Sequence, residues 1–237
     1  MIAFVIPAHN EEQLLGRTLA ALHAASAEIG AAYEILVVDD ASTDRTAEIA
    51  RAAGARVIAV AHRQIASTRN AGARAAAGDL LIFVDADTLV NAATLRATVA
   101  AVERGAAGGG ALLSFDAPLP MAVRMLAAAL ALGMRLGHLA AGAYLFCTRH
   151  AFDAVGGFDE TLFATEELTM SRALRRVGPM VILRERVLTS GRKARTHDLF
   201  ELLAPVGLLL RYGSSARHHR GRLSLWYGRR RHDPRRP

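Results

Sequence analysis

Apolar runs of strand length alternate with helical patterns over the first 84 residues of the chain. Helical periodicity predicts helices over residues 11–28, 43–52 and 67–77. The predicted strands around them are Ile2 to Ile6, Ile35 to Val38, Arg56 to Val60 and Leu80 to Val84. Strands separated by helices are typical of βαβ crossovers. The sequence therefore predicts a single α/β domain with a mostly parallel sheet flanked by helices.

The second half of the chain has a less regular pattern. A strand is predicted from Ala111 to Phe115, directly after the glycine triplet at residues 108–110. A long alanine- and leucine-rich helix is expected after Pro118 and Pro120. A strand over residues 143–147 and a helix over residues 168–177 complete the prediction.

Polar residues follow three of the predicted strands, in the segments 7–10, 39–42 and 85–87. In an open α/β sheet, ligands bind at the carboxyl ends of the strands, so these segments are expected to line one edge. Asp85 and Asp87 would repel each other unless a cation lay between them, and hard divalent cations prefer oxygen ligands. A turn or a helix cap is the alternative reading of this pair.

The formal net charge of +7 is concentrated in the last 27 residues, which hold nine arginines and one acid. Such a tail either is a solvated end or binds anionic lipid headgroups or nucleic acid. Before it, the apolar stretch from Leu199 to Leu210 is too short to span a bilayer. No signal peptide or transmembrane helix is expected, and a single cysteine excludes an internal disulfide. We therefore expect a cytoplasmic protein, with peripheral contact on the inner face of the membrane through the tail as one hypothesis.

Two common nucleotide-binding classes lack their motifs here. The turn after the first strand contains no glycine, whereas a dinucleotide-binding protein needs a glycine-rich turn at that point. The chain also has no P-loop motif, and its only lysine is Lys193. Asp39 and Asp40 follow the second strand, where a carboxylate either accepts hydrogen bonds from a nucleobase or ribose or serves the local structure.

Several motifs together resemble family 2 glycosyltransferases. They occur in the family's order over about four-fifths of the chain, to residue 197. The segments are Ile6-Pro7-Ala8-His9-Asn10-Glu11-Glu12, Val37 to Thr46, Arg69-Asn70-Ala71-Gly72, Phe83-Val84-Asp85-Ala86-Asp87, Val155-Gly156-Gly157-Phe158-Asp159-Glu160 and Thr165 to Leu174.

The resemblance implies a GT-A fold over residues 1–197 that binds a nucleotide-diphosphate sugar at the strand ends. Residues 1–115 would form the nucleotide-sugar half and residues 116–197 the acceptor half, with an amphipathic helix and the arginine-rich tail over 198–237. By analogy, the donor site would include Pro7, Ala8, Asn10, Glu11, Asp39, Asp40, Arg69 and Asp85.

Asp85 and Asp87 match the family's D-x-D pair, which implies Mg²⁺ or Mn²⁺ as cofactor. Asp87 is the expected metal ligand, and Asp85 is expected to contact ribose or the metal. A divalent ion would stabilise the negative charge that accumulates on the leaving diphosphate.

Glu167 matches the family's catalytic base, which implies an inverting transfer to an acceptor hydroxyl. The family more often has Asp at this position and Gly where this chain has Thr165, so Glu166 is kept as the alternative base. Without the family context, both acids fit the first turn of a helix, where negative charge is favourable.

The basic run near residue 195 is the last candidate element. Arg192, Lys193 and Arg195 match a basic loop that clamps the diphosphate in related enzymes, and His197 is a candidate third metal ligand. A solvated surface is the alternative for these residues.

A sugar, lipid-linked or small-molecule acceptor is expected, with no specific nucleic-acid partner. Two other functions remain open on the sequence: a sugar nucleotidyltransferase, or a non-catalytic protein of this fold that binds a nucleotide or lipid.

Overall fold

Eight strands and seven helices make up the part of the chain that the computed structural model describes, residues 1–116, 121–140 and 142–191. The strands are β1 (Ile2–Ala8), β2 (Tyr33–Asp40), β3 (Arg56–Val60), β4 (Leu80–Val84), β5 (Thr88–Leu89), β6 (Gly108–Phe115), β7 (Tyr144–Thr148) and β8 (Met180–Thr189). The helices are α1 (Leu15–Ile29), α2 (Thr46–Ala52), α3 (Ile65–Ala75), α4 (Ala92–Glu103), α5 (Met121–Leu136), α6 (Arg149–Val155) and α7 (Glu166–Val177).

The strands form one sheet in the order β3-β2-β1-β4-β7-β6-β8-β5. The first four strands in this order are parallel, as the βαβ pattern predicts. Beyond β4 the sheet becomes mixed, since β7 runs antiparallel to both β4 and β6, while β8 is parallel to β6 and antiparallel to β5. The predicted α/β class is confirmed, and the sheet brings the carboxyl ends of β1, β2 and β4 to one edge.

The core lies on both faces of the sheet, and β1 contributes to both. Ile2, Phe4 and Ile6 pack on the face covered by α1 and α4. Ala3 and Val5 pack on the opposite face, with residues of α3, α6 and α7. Alternate residues of a strand point to opposite faces, so a continuous apolar run is what a strand covered on both sides requires.

The glycine triplet was expected before a strand, but Gly108, Gly109 and Gly110 are the first three residues of β6. A methyl group on Gly109 would overlap the carbonyl oxygen of Val181 and the ring of Phe146. The glycines are therefore needed where the sheet and a large ring approach closely. The elements β5, α4, α6 and β8 were not predicted.

None of the helices in the described residues is long and apolar enough to cross a membrane. Pro118, Pro120 and the predicted segment 198–237 lie outside the described residues.

Gly72 lets α3 approach the sheet closely. An added Cβ would overlap Cγ1 of Val5 and lie 2.7 Å from Cγ2 of Val38. Both valines belong to central strands, so neither can move far in a core packed at crystal-like density. The position of α3, and of every side chain that it carries to the site, therefore depends on the missing side chain at residue 72.

Replacing Gly72 by Ala is expected to lower the free energy of unfolding by about 1–3 kcal/mol because it overpacks the core. The matched control is Gly16→Ala in α1, where the added Cβ would lie 3.6 Å from Cγ2 of Ile49, an ordinary contact. There the better helix propensity of alanine is expected to leave stability unchanged or slightly raised. Urea denaturation of both variants measures the difference, and equal stabilities would contradict the close approach of α3.

Candidate active site

The loops after β1 and β2 are locked together by side chain to backbone hydrogen bonds. The backbone N–H of Asn10 donates to Oγ of Ser42 at 2.9 Å, and its side-chain Oδ1 accepts from the N–H of Thr43 at 2.8 Å. The N–H of Glu11 donates to Oγ1 of Thr46 at 2.8 Å. Asn10 has a φ of 54°, a left-handed conformation that asparagine tolerates better than most residues. The two motifs predicted to hold the donor therefore form one continuous surface.

Asp39 and Asp40 are both buried at the end of β2 but have different partners. Asp40 accepts three hydrogen bonds at the start of α3, from the N–H groups of Arg63 and Gln64 and from the hydroxyl of Thr68, at 2.8 to 3.2 Å. Among the described residues, Asp39 accepts one hydrogen bond, from the N–H of Ser42 to Oδ1 at 3.2 Å. Asp40 is thus used to fix α3, and Asp39 is the better placed of the two to meet a ligand.

Arg69 of α3 is buried, and its guanidinium joins three segments of the chain. Nη1 donates to Oε1 of Glu166 at 2.9 Å, while Nη2 donates to Oδ1 of Asp85 at 3.1 Å and to the carbonyl oxygen of Gly142 at 3.0 Å. The guanidinium carbon lies 5.4 Å from the ring centroid of Phe158, and Nε is buried without a hydrogen-bond partner. One cation therefore connects the D-x-D turn to the acidic pair of α7.

The charge of Arg69 is maintained against its burial. Desolvation acts to lower the pKa of the guanidinium, but the negative charges of Asp85, Glu166 and Glu167 outweigh it and hold the pKa above its ordinary value. The group therefore stays charged, as its two buried or half-buried carboxylate partners require.

The loop before α7 is fastened to α3 by Asn70. Its Oδ1 accepts from the N–H of Phe158, and its Nδ2 donates to the carbonyl of Phe158 and to Oε1 of Glu160, all at 2.8 to 2.9 Å. Oγ of Ser67 also donates to Glu160 at 2.8 Å. No individual role for Asn70, Phe158 or Gly142 was predicted from the sequence. The signal in the sequence for Asn70 and Phe158 was that the segments 69–72 and 155–160, which contain them, both belong to the motifs shared with family 2 glycosyltransferases.

Glu166 and Glu167 begin α7 and differ in exposure. Glu166 is buried and paired with Arg69, whereas Glu167 is half-buried beside Gly142, where an added Cβ would lie 3.2 Å from Oε1 of Glu167. Desolvation, and then the charge of Glu166, raise the pKa of Glu167 to about 8, although Arg69 acts in the opposite direction. A largely buried but still accessible carboxyl with a pKa near neutrality has the properties of a general base.

Thr165, directly before the acidic pair, has a φ of 62°. This left-handed conformation is strained for a β-branched residue, and it explains why glycine would be favoured at this position. Strained backbone of this kind concentrates at functional sites.

Asp85 and Asp87 lie on a turn that follows β4. The hydroxyl of Thr18 donates to the carbonyl of Ala86 at 2.9 Å and fixes the turn from α1. About a third of the Asp85 side chain is exposed. Asp87 lines a small cavity together with Arg17 of α1, Asp116 directly after β6, and residues of β5 and β8. Arg17 and Asp116 were not among the predicted site residues.

The two aspartates fit a divalent cation that shares its ligands with a substrate. No group of three or more His, Cys, Asp or Glu side chains within the described ranges is arranged to hold a metal. Mg²⁺ is commonly bound by one or two carboxylates together with substrate phosphates and water. The exposed part of Asp85 and the neighbouring Asp87 match that donor set.

The structure brings most of the predicted residues to one edge of the sheet. Arg69, Asp85 and Glu166 share one network, and Glu167 lies beside it. Asn10 and Glu11 lie in the adjoining loop after β1, and Asp39 lies at the end of β2. Arg192, Lys193, Arg195 and His197 lie outside the described residues.

A family model for glycosyl transferase family 2 matches residues 3–143 of the chain. Over 99 residues, the chain is 41% identical to an undecaprenyl-phosphate 4-deoxy-4-formamido-L-arabinose transferase of Pseudomonas aeruginosa, covering 37% of this chain and 28% of that protein. Over 97 residues it is 40% identical to a 4,4'-diaponeurosporenoate glycosyltransferase of Staphylococcus haemolyticus, covering 38% of this chain and 25% of that protein. The matches thus span about a quarter of the length of these curated relatives.

Solved structures share the fold at low sequence identity. A crystal structure of S. aureus TarS residues 1–349 gives a TM-score of 0.63 at 19% identity, covering 88% of this chain and 65% of that chain. The mannosyltransferase PcManGT of Pyrobaculum calidifontis, in complex with GDP-Man and Mn²⁺, gives a TM-score of 0.64 at 16% identity, covering 86% of this chain and 59% of that chain. Glucosyl-3-phosphoglycerate synthase of Mycobacterium tuberculosis, in complex with Mn²⁺, UDP and glucosyl-3-phosphoglycerate, gives a TM-score of 0.60 at 20% identity, covering 92% of this chain and 80% of that chain. These likenesses confirm the predicted GT-A architecture.

Replacing Arg69 by Lys is expected to lower the free energy of unfolding by about 2 kcal/mol or more. An ammonium cannot reproduce the forked contacts to Asp85, Glu166 and Gly142, so buried carboxylate oxygens lose their partners. The control is Arg74→Lys on the same helix, where the side chain is exposed and its ion pair with Glu160 is 3.6 Å long. There we expect a change below about 0.5 kcal/mol in urea denaturation. Equal losses for the two variants would contradict the network.

Replacing Glu167 by Gln should make stability less sensitive to rising pH. Because the pKa of Glu167 is raised in the folded protein, the folded state holds an extra proton, and stability falls as pH rises from about 4.5 to about 8. Between these pH values, the unfolding free energy of E167Q should gain about 1 kcal/mol or more relative to the wild type. Glu103→Gln, at an exposed position, should follow the wild type throughout. Parallel profiles for E167Q and the wild type would argue against the raised pKa.

Proposed function

The chain belongs to glycosyl transferase family 2, and on that premise we propose that it transfers a sugar from a nucleotide-diphosphate sugar to an acceptor hydroxyl with inversion at the anomeric carbon. One observation carries the proposal. Asp85 on the donor side and Glu166 beside the general-base candidate are bonded to the same buried guanidinium of Arg69. This arrangement holds a donor-binding edge and a proton acceptor in fixed relation, which is what an in-line displacement requires.

The locked loops after β1 and β2 form the nucleoside part of the proposed donor site. Pro7 and Asn10, which are partly exposed, provide its surface, the buried Ala8 and Glu11 lie directly beneath it, and Asp39 contacts the base or ribose. Asp40 and Arg69, which were candidates for direct donor contact, act instead through the position of α3 and of the carboxylates. Support comes from their hydrogen bonds, since both side chains are buried and bonded within the protein.

Asp87 and Asp85 would hold Mg²⁺ or Mn²⁺ together with the donor phosphates. When bound, such an ion neutralises the charge that develops on the leaving diphosphate. Two of the solved structures that share the fold contain Mn²⁺ with a nucleotide or nucleotide sugar, which supports this assignment. Arg192, Lys193, Arg195 and His197 stay candidates for phosphate or metal contact.

Glu167 is the proposed general base. It removes the proton from the acceptor hydroxyl while that oxygen forms a bond to the anomeric carbon, and the bond from this carbon to the diphosphate oxygen breaks with its electron pair on the diphosphate. Glu166 is less suited to the role, because it is buried and paired with Arg69. The partial exposure of Glu167 and its raised pKa support the choice.

A lipid-linked acceptor in the synthesis of a cell-envelope polysaccharide is the acceptor class that we propose. The relative from Pseudomonas aeruginosa is named for transfer involving undecaprenyl phosphate. The nucleotide and sugar can be identified by thermal shift with UDP-, GDP- and dTDP-sugars in the presence of Mn²⁺. A ligand that binds the folded state alone raises its melting temperature.

Asp87→Ala is expected to abolish metal-dependent donor hydrolysis and transfer, measured as release of nucleoside diphosphate. Asp153→Ala, an exposed acid near the opposite edge of the sheet, is the control and should retain wild-type turnover. Metal-dependent turnover in D87A at the wild-type level would overturn the metal assignment. Release of pyrophosphate from a nucleoside triphosphate would instead favour the nucleotidyltransferase alternative.

Glu167→Gln is expected to keep donor binding, measured by thermal shift, and to lose transfer by about 10²-fold or more, the usual contribution of a general base. Glu103→Gln serves again as the exposed control. Transfer by E167Q at the wild-type rate would show that Glu167 is not the general base. If Glu166→Gln lost transfer without losing stability, Glu166 would be assigned as the base instead.

A further inference from the structure

The exposed apolar surface of the described residues is concentrated on α5. Four of the six large apolar side chains that are exposed there belong to this helix, with 59% to 74% of their surface accessible: Met121, Met125, Leu132 and Leu136. Single exposed apolar residues are normal, but a contiguous patch marks an interaction surface.

Apart from Gly133, the residues described as exposed on α5 form one stripe. At 3.6 residues per turn they fall within an arc of about 140°. The stripe consists of Met121, Arg124, Met125, Ala128, Ala129, Leu132, Arg135 and Leu136. Both arginines lie at the same edge of this arc, and α5 contains no acidic residue. An apolar face with a basic border is the pattern of a helix that lies in a membrane interface.

The orientation of α5 is fixed at its carboxyl end. The carbonyl of Gly137 accepts from Nη1 of Arg175 at 2.8 Å, and the ring of His138 bonds the carbonyl of Met180 at 2.9 Å. The N–H of Ala140 donates to Oγ of Ser171 at 3.0 Å. The stripe is therefore carried by a helix tied to α7 and β8, the same α7 that begins with Glu167.

Charge complementarity distinguishes between the possible binding partners of this stripe, which are a second copy of the chain, the chain's own apolar segment 199–210 and an anionic membrane surface. A second copy of the chain would bring another basic border with no acid on the helix to meet it. The chain's own apolar segment 199–210 contains one acid, Glu201, and follows Asp198, but residues 192–237 as a whole hold twelve Lys and Arg residues against three acids, so this part of the chain also carries a strong positive charge. An anionic surface complements Arg124 and Arg135, since each basic residue near such a surface adds to the attraction.

We propose that the α5 stripe docks the protein on the surface of an anionic phospholipid bilayer, with the helix axis parallel to the membrane. A helix of 16 residues is about 24 Å long, less than the hydrocarbon thickness of about 30 Å, so its apolar face suits the interface. The docking would bring α7 and the proposed base close to a membrane-embedded acceptor. The lipid contact itself does not depend on the proposed reaction, because it is measured without donor or acceptor.

Co-sedimentation of the full chain with vesicles tests the proposal. The vesicles contain phosphatidylcholine with about one third phosphatidylglycerol, and pure phosphatidylcholine vesicles serve for comparison. We expect M125Q/L132Q to lower the partition coefficient on the anionic vesicles at least about fivefold, through lost apolar burial. We expect R124E/R135E to lower it about tenfold or more, through lost attraction.

Two controls match these variants in chemistry but lie on other faces. Arg51→Glu with Arg104→Glu makes the same charge change at exposed positions of α2 and after α4, and Val177→Gln replaces an exposed apolar residue of α7. Both should partition like the wild type.

Three results would overturn the proposal. One is that the wild-type chain does not sediment with the anionic vesicles, or that it does so and the α5 variants have the same partition coefficient. Another is a dimer, seen by light scattering, that M125Q/L132Q converts to a monomer. The third is a clearly lowered melting temperature for M125Q/L132Q, which would identify a face covered by the chain itself. Transfer activity does not enter any of these readouts, so failure here is distinguishable from failure of the proposed reaction.

Discussion

The buried guanidinium of Arg69 is the interaction on which the site depends. Burying one cation without partners would cost several kcal/mol, so the surrounding carboxylates are as necessary to it as it is to them. Its fork contacts Asp85 from one half of the chain and, from the other half, Glu166, which lies 97 positions after Arg69 in the sequence. Because the fork is rigid and planar, it fixes direction as well as charge. The donor edge and the acceptor side therefore share one reference point.

The placement of Arg69 depends in turn on the packing of α3. Gly72 allows the helix to lie directly on Val5 and Val38, and Asp40 binds its amino end. On the other side, Asn70 fastens the backbone of Phe158, whose ring lies over the guanidinium. Three motifs that are separated in the chain thus serve one helix. Their shared task is to hold α3 and its arginine against the sheet.

The local pattern predicted the fold of the first 84 residues well, because β1, β2 and β3 are each followed directly by a helix that returns the chain to the next parallel strand. It failed where distant segments decide. Gly108 to Gly110 were not recognised as strand residues, since the reason for glycine is the ring of Phe146 and the backbone of β8. Likewise, Asp85, Glu166 and Glu167 were assigned to the site, but the bonding of Asp85 and Glu166 to Arg69 is a contact between distant segments that periodicity does not report. The assignment of individual roles in donor and metal binding stays a prediction.

The order of strands also has a consequence for synthesis of the chain. The four parallel strands β1 to β4 are complete once residue 84 has been made, but the free edge of β4 pairs with Tyr144–Thr148 of β7. For some 60 residues of translation, an apolar strand has no neighbour on that side. Unpaired apolar edges are sites of aggregation during folding. The nascent chain is thus most in need of protection by chaperones while the segment between β4 and β7 is being made.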